Sequence, residues 1–468
     1  MFSNELWNKS GVPATFSIDQ SIRFNVADSS YMSRTFGTAT SLTTTTLSLW
    51  VKRGNLGTHQ MIMVGSTSAY GDTLYFFFNT SDQLKVVDGG SYVYLTSTQV
   101  FRDPSAWLHI VFVLDTGNST SSERFRFYVN GQRITNYSSS FPAQNATYKW
   151  NSSTGQHSIG CYLPSPAQLF DGYMTEIVFI DGQALDPSNF AETNDSGIWV
   201  PKDVSGLTFG NNGFHIDGRD SSDLGDDESG NGNDFTTSGL AAHDQVLDSP
   251  TNNFCVMNPL NTHSSMTLSN GNLQSTASAF TGSGASILLP STGKWYCEMR
   301  YNNASLAEYP MMGIYNTIKN LSTTAINTGS PSGDKDIGFG ANGLRRENGT
   351  DTLSWGNAIG DGKIGALAVD MDNKKIWFGH NNSGSFVWQA SGNPSTGSNE
   401  ANTIAFANDV IFGNSHYSSS IVCWNFGQDG TFGGTETAQG NSDANGVGNF
   451  YFTVPTGYQA LCTKNIGA

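Results

Sequence analysis

The chain has 468 residues, 39 acidic and 23 basic, for a formal net charge of −16. That balance repels a nucleic-acid backbone, and no basic stripe with interleaved aromatics offsets it, so the charge reads as a solubility device. Charged residues are only 13% of the total but aromatics reach 12%, which excludes a disordered chain, because such chains lack large groups to bury.

The polarity comes from Ser, Thr, Asn and 52 Gly, the composition of short strands joined by many turns. Cys161, Cys255, Cys297, Cys423 and Cys462 lie far apart with no C-x-x-C spacing. This argues against zinc, and their odd number argues against a disulfide framework. The first seven residues lack a charged segment followed by an apolar run, so no secretory signal is expected and folding in a reducing cytoplasm is. No apolar stretch approaches the ~18 residues that span a bilayer, and membrane insertion is not expected.

Helical periodicity is almost absent. Residues 1–20 hold Phe2, Leu6 and Trp7 ahead of the first strand signal and are a candidate anchor segment. Residues 46–51 alternate and stop at Lys52-Arg53-Gly54. Residues 74–78 and 107–114 are dense apolar strands. Residues 125–129 run into Asn130-Gly131, the strongest two-residue hairpin signal, with Gln132-Arg133-Ile134 as the return strand. Residues 174–180 form a buried strand closed by Asp181-Gly182. This spacing predicts one sandwich over residues 21–205.

Between residues 206 and 264 the texture changes to Asp, Ser, Gly and Asn. We expect a polar connector, packed at least partly on its neighbours, with a loose linker as the alternative. Strand signals return at 294–300, 364–370, 375–378, 410–412 and 421–426. They predict a second sandwich over 265–468. The expected fold is all-β, with two antiparallel β-sandwich, jelly-roll-like domains in tandem.

The first domain resembles the concanavalin A-like, laminin-G-like sandwiches. The resemblance rests on Leu47-Ser48-Leu49-Trp50-Val51-Lys52-Arg53, Trp107-Leu108-His109, Phe127-Tyr128-Val129-Asn130-Gly131 and Phe170-Asp171-Gly172-Tyr173-Met174-Thr175-Glu176-Ile177. The second resembles the SPRY family through Gly293-Lys294-Trp295-Tyr296-Cys297-Glu298, Met312-Gly313-Ile314, Gly360-Asp361-Gly362-Lys363-Ile364-Gly365, Val369-Asp370-Met371-Asp372 and Ile376-Trp377-Phe378. The family's next Asn-Gly is displaced here, in Asn381-Asn382-Ser383-Gly384. By that resemblance, loops around 303–309, 343–351 and 380–400 would form the partner surface. The pairing of the two domains resembles structural proteins of tailed, marine-type bacteriophages, often tail-fibre-like. It implies a virion component with other virion proteins and a host-surface glycan or protein as partners. It also implies a homo-oligomer, with a trimer favoured.

Concanavalin A-like sandwiches include glycoside hydrolases, and a retaining one needs two carboxyls about 5.5 Å apart. Glu176 is flanked on its predicted face by apolar Met174 and Val178, so it reads as a lone carboxylate. Asp370 and Asp372 read as turn residues, and His109, inside an apolar run, as a core histidine. No nucleophile elbow is present, and no enzyme activity is expected. Residues 226–234 form the one metal-like loop, with Asp227, Asn231, Asn233 and Asp234 as candidate ligands. Calcium is weighed there against a polar turn bonded to its own backbone, and no other cofactor is expected. Candidate ligand-binding residues are Trp388, Trp355, Trp150, Arg345 and Arg346. Each Trp either fills core or offers a ring face to a sugar, and each Arg suits an acidic group. The expected function is host-surface attachment by non-catalytic binding, most naturally to glycan, in a tail fibre or spike. A structural or capsid-decoration protein is the alternative.

Overall fold

A computed structural model of the chain describes residues 16–65, 73–89, 93–163, 166–277, 281–303, 310–316, 336–382, 384–404, 409–416 and 419–467. Most of the candidate anchor and residues 304–309 of the first SPRY-like loop lie outside them. The protein is nearly all β. Its one α-helix among the described residues is Thr463–Ile466, and no helix there is long and apolar enough to cross a membrane. The chain forms two units, one spanning Ser10–Thr251 and the other containing Asn252–Ala468.

The first unit is a sandwich of two eight-stranded sheets. One runs Gln132–Arg133, Phe125–Val129, Leu108–Asp115, Thr44–Arg53, Gly172–Asp181, Ser21–Phe24, Gln245–Val246, with Phe214–Ile216 also paired to Gly172–Asp181. The other runs Tyr137–Ser139, Val93–Ser97, Leu84–Asp88, Leu74–Phe78, Gln60–Val64, Gln156–Ile159, Tyr31–Thr35, Thr236–Ser238. Period-2 alternation sends Leu47, Leu49 and Val51 inward against Phe76 and Phe78 of the facing sheet, which is how strands bury one face. Asn130 and Gly131 take φ of 48° and 75°, the left-handed pair that a tight hairpin requires, and Val129 pairs with Gln132 as expected. On the outer face of the first sheet, Val111, Val113, Val178 and Ile180 are roofed by Phe190, Val204 and Phe209.

The expected connector is not a separate element. Residues up to Thr251 belong to the first unit and those from Asn252 to the second. The segment packs on the first unit, as expected of it, through Phe214, Ile216, Leu224 and Phe235 in the sandwich core, and buried charge adds to that attachment. Lys52 Nζ sits 2.6 Å from Asp248 Oδ2, with both side chains fully buried, and Trp107 Nε1 donates to Asp248 Oδ1 at 3.0 Å. Arg23 pairs with Asp244 in the same way. Three short strands of this stretch, Phe214–Ile216, Thr236–Ser238 and Gln245–Val246, extend the two sheets.

The second unit also has two sheets. A seven-stranded one runs Met257–Thr262, Thr281–Ala285, Val410–His416, Met311–Asn316, Ile337–Gly340, Arg345–Glu347, Thr350–Thr352. The path of the nine-stranded one is Met266–Ser269, Gln274–Ala277, Ser420–Asn425, Lys294–Asn303, Ile364–Asp370, Lys375–His380, Val387–Trp388. Trp377, Trp424, Tyr296, Phe412 and Phe450 are buried in this unit. Asp370 is a turn residue, as its position predicts. Its two oxygens accept the backbone and side-chain N–H groups of Asn373, each at 2.9 Å.

Candidate ligand-binding hollow

The short strand Val387–Trp388 pairs with Gly379 and His380 at the edge of the nine-stranded sheet. Trp388 is half-buried there, and Phe386 meets it edge to face with ring centres 5.1 Å apart. Gly379 makes this possible. A Cβ on it would lie 2.5 Å from Phe386 Cζ and 3.0 Å from Trp388 Cε3, so only a glycine lets both rings lie down on the strand. Phe452 packs against Phe386 at 4.3 Å, and Tyr451 meets Phe452 edge to face.

These rings line an open hollow of about 570 Å³ together with Ser395, Gln439, Asn441 and the stretch from Thr453 to Thr456. Its size falls in the range of small-ligand sites. Asn441 is oriented by giving its amide hydrogens to the carbonyls of Phe450 and Tyr451. Ser395 Oγ accepts the N–H of Thr456 at 3.1 Å, closing the rim.

The wall formed by Tyr451 and Phe452 hangs from the core. Glu298, in the strand Lys294–Asn303, is fully buried. Its carboxyl accepts the N–H groups of Tyr451 and Phe452 at 2.8 Å each, the Tyr296 hydroxyl at 2.9 Å and an Asn425 amide at 3.2 Å. Burial pushes this carboxyl up to about 7, against the pull of the two backbone N–H groups. In the sequence Glu298 stands out only as part of the SPRY-like run, not as a site residue. Its only signal was an acid in the middle of an apolar strand, and all its partners but Tyr296 lie more than a hundred residues away.

The other candidates sit elsewhere. Trp150 is 1% exposed and meets Phe112 edge to face. It is core, not a binding face, because the 3-10 turn Lys149–Asn151 rotates it inward. Trp355 is half-buried against Phe339 and Phe378, with the Arg345 guanidinium over its ring at 5.5 Å. Arg345 donates to the carbonyl of Ala401. Arg346 is already engaged by Asp351 through two contacts, one of 2.7 Å. An acidic ligand would have to compete with that carboxylate, and none of these three residues lines the hollow.

The acidic loop is a self-bonded turn, the alternative weighed against calcium for these residues. Asp227 Oδ1 accepts the N–H groups of His215 and Ser229, and Oδ2 those of Asn233 and the Ser229 hydroxyl. Asp234 accepts the N–H of Asp227. Asn231 and Asn233 spend their amides on the carbonyls of Gly210, Asn211 and Gly213. The oxygens that would face a cation hold the backbone instead.

His109 is also core. Its Nδ1 accepts the Trp199 indole N–H at 3.0 Å, so Nε2 donates to Ser48 Oγ at 2.8 Å. Burial drives the imidazole down to about 3. Glu176, by contrast, does not stand alone. Its carboxylate lies 2.9 Å from His215 Nε2, and Asp217 is close enough to share an ion with both. The register slips between Thr175 and Val178, and this bulge breaks the alternation that predicted apolar neighbours.

No curated protein is significantly similar to the chain. Among solved structures, the SPRY domain of human HERC1 aligns at 15% identity over 36% of this chain and 96% of its own, with a TM-score of 0.27. Stonustoxin aligns at 16% identity over 36% of this chain and 27% of its own, with a TM-score of 0.28. A candidate carbohydrate binding protein from Bacteroides ovatus aligns at 16% identity over 48% of this chain and 58% of its own, with a TM-score of 0.31. Residues 26–189 match the Concanavalin A-like lectin/glucanases superfamily, so the first unit carries a concanavalin A-like domain.

Proposed function

We propose that this chain is a non-catalytic binding protein that takes a glycan in the hollow at Trp388. The observation that carries this reading is the composition of the lining. Ring faces of Phe386, Trp388 and Phe452 stand beside the amides of Gln439 and Asn441 and the hydroxyls of Ser395 and Thr456. Flat rings suit the C–H face of a sugar and short polar groups suit its hydroxyls. Among the described residues, no carboxylate or imidazole lines the hollow, and those are the usual general acids and bases on a bound glycosidic bond. The first unit belongs to a fold whose superfamily includes lectins as well as glucanases.

The finer reading is a tail-fibre or spike subunit of a bacteriophage, made in the host cytoplasm and assembled on the virion. It rests on the resemblance of the paired domains to phage structural proteins. Repetition of a shallow site in a homo-oligomer would supply the strength that one site lacks.

The test is binding of purified full-length protein to a panel of bacterial surface polysaccharides. Trp388→Ala should weaken binding by about tenfold, the equivalent of about 1.4 kcal/mol, with the melting temperature held. Binding to no saccharide, or release of reducing sugar, refutes the reading. An antibody that labels the tail of intact particles supports attachment, and one that labels the capsid supports decoration.

A further inference from the structure

We propose that Glu176, His215 and Asp217 form a site for a divalent transition-metal ion of the zinc or cobalt kind. The site lies in the first unit and the hollow in the second, and nothing in the proposed glycan binding requires it. One imidazole nitrogen and one oxygen from each carboxylate lie within 4.8 Å of one another. Small torsions of the two carboxylates bring such donors to the ~3.4 Å that neighbouring ligands keep around a tetrahedral zinc.

The backbone sets up this convergence. Phe214–Ile216 is a strand in which Phe214 and Ile216 are both buried in the sandwich core. Alternation therefore turns His215 to the opposite, outer face, and Asp217, two residues on, to the same side. Phe214–Ile216 pairs with Gly172–Asp181 just past the bulge. The bulge residue is Glu176, with φ of +49°. A side-chain-bearing residue pays of order 1 kcal/mol for that conformation, and the result is a carboxylate aimed at His215 across the strand pair. Glu176 and His215 have side chains only 8% exposed, and Asp217 5%.

Outer contacts hold Asp217 and the strand that carries His215, as is usual around metal ligands. Arg219 gives its backbone N–H and its Nε to the two oxygens of Asp217, at 2.9 and 2.8 Å. The acidic loop clamps the strand: Asp227 accepts the N–H of His215, and Glu228 gives its own N–H to the His215 carbonyl at 2.9 Å. The His215 ring stacks on Phe209 at an interplanar angle of 9°. The loop that reads as a cation site in the sequence is thus the support of a neighbouring one.

Donor chemistry selects the ion. An imidazole nitrogen with two carboxylates suits zinc, cobalt or nickel, whereas calcium takes six to eight oxygens. Three protein donors leave a coordination position for water or a ligand. In the imidazolium form the Nε2 hydrogen of His215 points at Glu176; the ion takes its place, that proton leaves to solvent, and Nδ1 keeps its hydrogen. Protons and metal therefore compete, and affinity rises with pH.

The experiment strips the full-length protein with a chelator, then titrates it with cobalt, read by its visible absorption, and with zinc, read by calorimetry and melting temperature. One equivalent per chain is expected, with a raised melting temperature that chelator reverses. His215→Gln should lower cobalt affinity by about a hundredfold and the isosteric Glu176→Gln by about tenfold, conversions of about 2.7 and 1.4 kcal/mol. If His215→Gln does not fold, Glu176→Gln and Asp217→Asn decide. Folded wild-type protein with no cobalt absorption and no zinc-dependent melting shift overturns the proposal, as does binding that survives in every folded variant.

Discussion

Phe452 hangs by its backbone N–H, over 2.8 Å, from Oε1 of the buried Glu298. Tyr451 is tied to the other oxygen at the same distance. The aromatic wall of the hollow is thus anchored in the central strand of the second unit, and the anchor titrates. Its carboxyl is pushed from 4.5 to about 7 by burial. A raised carboxyl favours the folded state when protonated, so its stabilisation is full below pH ~4.5 and is lost as pH rises through ~7. His416 works the other way. Burial lowers it from 6.5 to about 3, so its contribution is present above pH ~6.5 and lost as pH falls towards 3. Comparing wild type with Glu298→Gln isolates the first effect. The stability of wild type relative to the variant should fall by about 3 kcal/mol between pH 4.5 and 7.5, measured by urea unfolding. A difference that does not change with pH contradicts this.

Asp248→Ala should destabilise the first unit by about 3–5 kcal/mol, because it leaves the fully buried Lys52 ammonium without its carboxylate. Replacing both, as Lys52→Met with Asp248→Leu, should recover most of the loss. Denaturation followed by tryptophan fluorescence reads both. A mild effect of the single variant would mean that the segment before Thr251 is a detachable linker after all.

Asp227→Ala removes the acceptor of three backbone N–H groups, those of His215, Ser229 and Asn233. Leaving buried donors unmet should cost about 1–3 kcal/mol. Added calcium should leave the wild-type melting temperature unchanged, since these oxygens already serve the backbone.

What the sequence made legible was local. The Asn130-Gly131 hairpin, the Asp370 turn and the alternation of residues 47–51 follow from nearest-neighbour rules, and the structure has them. What stayed hidden depends on contacts remote in sequence. Lys52 and Asp248 meet across 196 residues, and Glu298 meets Phe452 across 154. The bulge at Glu176 was illegible for another reason: a glutamate at positive φ contradicts its own conformational preference. Trp150 and Trp388 both stand in polar sequence, and only the fold separates the buried ring from the half-exposed one.

Trp150→Ala therefore should lose about 3–5 kcal/mol of stability, as a large buried ring leaves a cavity. It should leave glycan binding by the folded protein intact. Loss of binding without loss of stability would return Trp150 to the site.

Gly379→Ala tests the hollow without touching any polar group in it. The new methyl would fall 2.5 Å from Phe386 Cζ, closer than carbon atoms approach, so the Phe386 ring must swing away and carry the packing of Trp388 and Phe452 with it. Gly379 lies in an ordinary strand, without positive φ, so alanine is acceptable to its backbone. The rings it displaces are half-buried and can move towards solvent. Stability should fall by about 1–2 kcal/mol, within the range of overpacking, while saccharide binding drops by about tenfold. The control is a double-mutant cycle with Phe386→Ala. Once that ring is gone the methyl meets mainly Trp388, so the two substitutions should couple strongly in binding. If their effects on binding simply add, Gly379 acts through the strand backbone and not through the shape of the aromatic wall.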